Sequence, residues 1–115
     1  MGSAGDAPAI YLVRFWVKPG GEQKVIDWLD KTHLADVVSQ PGFHWAKRYR
    51  LLQDDADGWS AHAMIYGVDS VDALEAYFAS DATKRYAQER IDLGINDLLK
   101  IDRNWGPLVH TVQRA

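Results

Sequence analysis

His33 is the residue with most chemistry to offer in this chain. It falls in the stretch Glu22 to Ser39, where Val25, Ile26, Leu29, His33 and Val37 recur at spacings near three and four. A helix with that spacing sets all five on the stripe that faces the interior. Burial there penalises the charged imidazole, so the ring stays neutral and can accept a proton. The same position equally suits a core histidine that makes one hydrogen bond and no more.

Other groups could converge on the same space. His62 and Tyr66 share one face of the strand Trp59 to Tyr66, and His44 shares a face with Arg48 in the strand Phe43 to Leu52. Arg14 sits between Leu12 and Trp16 in an apolar strand, where a guanidinium must find a carboxylate, an aromatic face or an anionic ligand. Five tryptophans (Trp16, Trp28, Trp45, Trp59 and Trp105), with Tyr11, Tyr49, Tyr66 and Tyr77, are enough to line a pocket for a flat apolar molecule. They are also ordinary material for a core or a subunit interface. The expected catalytic set is His33 as base, Arg48 steadying a developing oxyanion and Tyr66 orienting the substrate. Arg14, Trp16, Trp45, His62, Tyr77 and Trp105 are the candidates for binding it.

Several chemistries are set aside. The chain has no cysteine, which removes disulfides, thiolate metal sites and cysteine nucleophiles together. Its four histidines show neither the HxH nor the HExxH spacing, Gly20-Gly21 lacks a phosphate-binding context, and Ser39, Ser60 and Ser80 lack a nucleophile elbow. No cofactor and no metal are expected.

The elements that must hold these groups alternate in type. Ile10 to Val17 reads as a strand, with Tyr11, Val13, Phe15 and Val17 on one face and Ile10, Leu12, Arg14 and Trp16 on the other, and both faces are apolar enough to be buried. Lys18-Pro19-Gly20-Gly21 breaks it before the His33 helix. After Gln40-Pro41-Gly42, the strand Phe43 to Leu52 alternates Phe43, Trp45, Lys47, Tyr49 and Leu51 against His44, Ala46, Arg48, Arg50 and Leu52. Asp54 to Gly58 is the hairpin loop that returns the chain into Trp59 to Tyr66. Asp69 or Ser70 caps a second helix carrying Val71, Leu74, Tyr77 and Phe78 inward, and Ser80-Asp81 offers another cap. A kinked continuation to about Lys100 would carry Ala87, Ile91, Ile95 and Leu98, weakened at Gly94. A last strand lies within Asp102 to Gln113, where Gly106-Pro107 suits a sheet edge.

The sum is βαββαβ, an α+β, ferredoxin-like chain whose four-stranded antiparallel sheet carries helices on one face. The other face then needs cover, and a second copy supplies it most simply. With 115 residues one domain is expected over 10–115, preceded by a flexible tail over 1–9 that lacks the regions of a secretory signal. A net charge of −3 argues against a nucleic-acid partner, and no apolar run is long enough for a membrane span. A soluble, cytoplasmic homodimer is the expectation.

From Tyr11 to about His110 this order of elements resembles the dimeric α+β-barrel superfamily, in which two ferredoxin-like sheets pack into a shared barrel. Trp28-Leu29-Asp30-Lys31-Thr32-His33, followed by Pro41-Gly42-Phe43, is similar to the first helix and following strand of EthD-like members and of related short barrels. Ser70 to Phe78 (SVDALEAYF) resembles the second helix of antibiotic-biosynthesis monooxygenases and of stress-responsive barrels, which include plant polyketide cyclases. In those cyclases this helix supplies a tyrosine and then a histidine. Tyr77 matches the first, but the second falls near Thr83. The resemblance implies a homodimer with an apolar small-molecule ligand. It fits a cofactor-independent enzyme using histidine acid/base chemistry on an aromatic or polyketide-like compound, of isomerase, cyclase, lyase or monooxygenase type. A non-catalytic dimer that binds such a molecule, or serves as an interaction module, fits the same fold.

Overall fold

The computed structural model describes residues 6–114, and its elements come in the expected order. Strands β1 (Ala9–Val17), β2 (Phe43–Arg50), β3 (Ser60–Val68) and β4 (Leu99–Pro107) form one antiparallel sheet ordered β2-β3-β1-β4. Helices α1 (Glu22–Trp28), α2 (Leu34–Val38), α3 (Val71–Phe78) and α4 (Asp81–Leu93) pack on a single face of it. This is the ferredoxin-like α+β arrangement. Residues 1–5 of the expected tail lie outside the described residues, and Ala9 already belongs to β1, paired with Val68 and Pro107.

Period-two alternation divides β1 cleanly. Tyr11, Val13, Phe15 and Val17 are buried beneath the helices and join Val25, Leu29, Val37, Leu74 and Tyr86 in the core. Ile10, Leu12, Arg14 and Trp16 occupy the opposite face, which no helix covers, and there Ile10 is 40% exposed. Burial of both faces is therefore corrected to burial of one within the protomer.

The first helical region departs from a plain α-helix. Between α1 and α2 the chain runs through a π-helical turn, Leu29–His33. The sequence gives the reason. Leu29, His33 and Val37 repeat every four residues, and on an α-helix such a row overshoots one turn by roughly 40° at each step. One wider turn absorbs that drift and keeps all three buried.

Strand β2 departs as well. Its register with β3 shifts between Phe43 and Trp45, so Phe43 faces the helices together with Ala46, Arg48 and Arg50, while Trp45, Lys47 and Tyr49 face away. A bulge at His44 inserts one residue and reverses the alternation beyond it. His44 Nε2 is in close contact with Asp69 Oδ1, and the Asp69 N–H donates to the Gly42 carbonyl at 2.9 Å, which latches the bulge. Gly67 on β3 makes room for the displaced Trp45, since a Cβ there would stand 2.4 Å from the indole.

The cap expected at Ser80-Asp81 starts a separate helix, and the expected kinked continuation to Lys100 is instead this helix followed by a short 3-10 turn, Asn96–Leu98. Ser80 is extended, its hydroxyl donating to the Tyr77 carbonyl, and α4 starts at Asp81 and stops at Gly94, whose φ of 68° ends it in the left-handed region. Ile95 then plugs the core, and β4 begins at Leu99, three residues earlier than the sequence suggests. Gly106 and Pro107 close β4 on the sheet edge, where a missing amide donor does no harm.

Candidate active site

Between the sheet and the helices lies a cavity of about 190 Å³. Tyr11, Val13, Phe15, Met64 and Tyr66 form its floor, and Trp28, Leu29, His33, Tyr77 and Tyr86 form its roof. Ile101 and Arg103 on β4 are exposed and Arg90 on α4 is half-buried, so the mouth opens between those two elements. Most of the lining is apolar or aromatic, as small-molecule sites generally are.

His33 is in that roof, 8% exposed. The π turn places it. Residues five apart on an α-helix lie roughly 140° apart around the axis, yet Trp28 and His33 stack with ring centroids 4.2 Å apart. Tyr86 packs edge-on against the other side at 4.8 Å. Burial, with Arg90 and Arg103 adding repulsion, lowers the His33 pKa to about 4. The ring is neutral at pH 7. Its Nδ1 is buried and has no hydrogen-bond partner among the described residues.

The tyrosines beside it stay protonated. Burial is the leading reason that Tyr66 and Tyr77 titrate far above the usual phenol range, with neighbouring tyrosines adding to the rise. Tyr11 is raised by burial too, against the opposing influence of Arg103. Tyr66 stacks on Tyr11 at 5.5 Å and its hydroxyl donates to Met64 Sδ at 3.6 Å, a weak acceptor that a ligand oxygen would displace. Low polarity thus supplies neutral O–H donors beside a neutral imidazole.

Arg48 and His62 form a separate cluster. Arg48 donates to both carboxylate oxygens of Asp30 at 2.8 and 2.7 Å, and its Nη1 approaches His62 Nδ1 at 3.4 Å. Arginine can only donate, so Nδ1 accepts, Nε2 carries the proton, and that N–H points at Ser60 Oγ 3.3 Å away. A histidine donating to a serine is no base for it. Burial first, then Arg48 and Arg50, brings His62 down to about 4, and its ring stacks on Phe15 at 4.9 Å. Neither Arg48 nor His62 lines the cavity. Asp30 belongs to the π turn, however, so Arg48 braces the segment that carries His33.

Three expected binding residues lie across the sheet from the cavity. Arg14 pairs with Asp102 at 2.6 Å, both about half exposed, and stands over Trp16 at 5.6 Å. Trp45 lies under Lys47 at 4.8 Å. Arg14 and Trp16 point away because they are even-numbered in β1, and Trp45 does so because of the bulge. Trp105 borders Tyr11 and Phe78 on the cavity side, 44% exposed beyond the mouth. The structure therefore gathers His33, Tyr66 and Tyr77, with Trp105 adjacent, and leaves out Arg14, Trp16, Trp45, Arg48 and His62.

Tyr86, Arg90 and Arg103 line the cavity although nothing in the sequence pattern pointed to them, while Tyr11 and Trp28, expected among the aromatics able to line a pocket, line it too. Ala82, Tyr86 and Arg90 repeat every four residues, a helical stripe visible in the sequence once α4 is known to start at Asp81. Arg103 alternates with Leu99, Ile101 and Trp105, but that pattern appears only with the earlier start of β4. Thr83 also lines the cavity, and its hydroxyl donates to the Ser80 carbonyl at 2.9 Å.

A family profile described as a domain of unknown function, DUF4286, matches residues 8–91. The chain belongs to that family. The matched span takes in His33, Tyr66, Tyr77 and Arg90 of this DUF4286 chain, and stops before β4. No curated protein matches it in sequence. Among solved structures it is similar to an EthD family protein from Bacillus halodurans, with TM-score 0.61, 17% identity, and 88% of this chain and 99% of that one covered. A dimeric ferredoxin-like protein from an uncultured marine organism gives 0.67 and 14%, covering 90% and 96%. A variant of SnoaB, a cofactor-independent oxygenase from Streptomyces nogalater, gives 0.62 and 18%, covering 94% and 100%. At these identities the likeness is one of fold. Among the described residues no helix is long and apolar enough to cross a membrane, and no group of three or more His, Cys, Asp or Glu could hold a metal.

Proposed function

We propose that this DUF4286 chain is a small cofactor-independent enzyme that moves a proton on an aromatic or related cyclic substrate held in the His33 cavity. One observation carries the reading. A neutral imidazole with an unpartnered nitrogen shares an apolar cavity with two tyrosines that remain protonated. His33 removes a proton next to a carbonyl or from a phenol, and the hydroxyls of Tyr66 and Tyr77 donate to the oxyanion that develops. Enolisation of that kind is the shared first step of isomerisation, cyclisation, elimination and cofactor-free oxygenation. The fold shared with a cofactor-independent oxygenase is consistent with it.

The working unit is a homodimer. Ile10, Leu12, Trp16, Trp45, Tyr49 and Ile65 leave an aromatic and aliphatic sheet face without helices, and a second copy would cover it. A structural neighbour of the same fold is described as dimeric. Sedimentation at micromolar concentration should give two subunits; a single-subunit mass would remove this part of the proposal.

A second reading is favoured by one feature of His33. No carboxylate orients its ring, and with a pKa lowered to about 4 it is a weak base in the empty protein. A binding protein without turnover would look the same. Tryptophan quenching with a panel of phenols and aryl ketones, followed by product analysis, separates the two. Conversion lost in His33→Gln supports the enzyme, whereas binding without conversion by the native protein supports the binder.

A further inference from the structure

We propose that the mouth of this cavity is an anion subsite walled by Arg90 and Arg103, and that the protein takes a one-ring or two-ring organic acid. The ring fills the interior and the acid group lies between the guanidiniums. This rests on the cavity being the functional site and names the compound class that enters it.

The two arginines come from separate elements, Arg90 from the last turn of α4 and Arg103 from β4, and both border the one opening. Neither makes an ion pair among the described residues, and no Asp or Glu lines the cavity. The contrast with other arginines is plain, because Arg14, Arg48 and Arg50 pair with Asp102, Asp30 and Asp54. Glu89, next to Arg90 in sequence, accepts instead from Trp28 Nε1 at 3.3 Å.

Two cations bordering one apolar opening repel each other, although Arg103 also donates to the Tyr11 hydroxyl and Glu89 partly offsets Arg90. Burial, and then Arg103, makes the charge on Arg90 harder to hold. A carboxylate between them offsets that repulsion and can accept two parallel N–H bonds from one guanidinium while a remaining oxygen lone pair accepts from the other. Size agrees with the charge. An apolar cavity of about 150 Å³ admits benzene, so 190 Å³ suits a small ring system and excludes a four-ring polyketide. The acid also eases the weakness of His33 as a base in part, since neutralising both arginines lifts the two smaller influences that disfavour its protonated form and leaves burial, the largest.

The test is calorimetric titration of the full chain with benzoate and phenylacetate against benzamide and phenylacetamide, which match them in shape without the charge. The acids should bind about tenfold more tightly or better, with the advantage shrinking as salt is added. Arg90→Gln and Arg103→Gln should each remove about tenfold of the acid affinity and leave the amides within about twofold. Loss of repulsion should also raise the unfolding midpoint of both variants, so that weaker binding is not mistaken for a damaged fold. Equal affinity for acids and amides, no binding of either at millimolar concentration, or unchanged acid affinity in both variants overturns the subsite. Acid discrimination together with no turnover of the phenols and aryl ketones of the quenching panel keeps the subsite and removes the catalytic proposal; turnover of those neutral rings with no preference for acids does the reverse.

Discussion

His33 and His62 are both buried, both lowered to about 4 and both stacked on an aromatic ring, yet they sit in regions of opposite character. Around His62 every polar position is used. Arg48 fixes one nitrogen, Ser60 takes the other, and Phe15 covers the ring. Around His33 the rings of Trp28 and Tyr86 supply packing, the Nδ1 has no partner among the described residues, and the ring borders the cavity. Burial alone therefore does not mark a site. A buried polar side chain that borders a cavity and lacks a protein partner is the better mark, because the cavity can bring one to it.

Substitution should break this symmetry most sharply in activity. His33→Gln is expected to lower turnover by about 100-fold or more at unchanged fold, as measured by steady-state rates and circular dichroism. His62→Gln should leave the rate within a few-fold and instead lower stability, by about 1–3 kcal/mol in urea unfolding, because it disturbs a filled network. If His62→Gln abolished turnover while His33→Gln did not, the roles assigned to the two regions would have to be exchanged.

Arg48 joins the regions, since it holds Asp30 in the π turn and His62 in β3. Arg48→Met should free the π turn and reduce kcat by about tenfold with little change in KM, the signature of a positioning residue. Arg48→Lys should recover only part of that, because an ammonium cannot reproduce the two-pronged contact. A marked rise in KM would point to direct substrate contact instead.

Acid titration sharpens the comparison more gently. In the unfolded chain the imidazoles take up protons near pH 6.5, whereas in the folded chain they do so near 4. The unfolded state binds more protons in that window, so stability present above 6.5 is lost as pH falls towards 4. Urea midpoints across the window should show this decline, and His33→Gln and His62→Gln should each flatten it. A decline unaffected by both variants would place its cause elsewhere. The smallest effect belongs to the exposed Arg14–Asp102 pair, where Arg14→Ala should cost only about 0.2–1 kcal/mol at fixed oligomeric state.

Element type and order were legible because the patterns are local. Alternation in Ile10–Val17, the three-and-four spacing around His33 and the Asp/Gly hairpin each follow from a few neighbouring residues. The cap at Ser80-Asp81 was legible too, and α4 starts there. What escaped were the offsets: the one-residue bulge at His44 moved Trp45 to the far face, and β4 started three residues early, with Arg103 at the mouth. Each offset depends on a partner distant in sequence, such as Gly67 yielding space to Trp45 or Asp69 latching His44.

By itself, the sequence determined the βαββαβ order, the two-sided alternation of β1 and the inward position of His33, since backbone periodicity and apolar burial act over a turn or a strand, whereas which face of β1 meets the helices was settled by packing. Tertiary structure alone decided which polar groups share one space: Arg48 and His62 closed on each other, while His33, Tyr66, Tyr77, Arg90 and Arg103 met around a cavity. That choice is made by register and packing between segments far apart along the chain, where a one-residue shift reverses a side chain's direction.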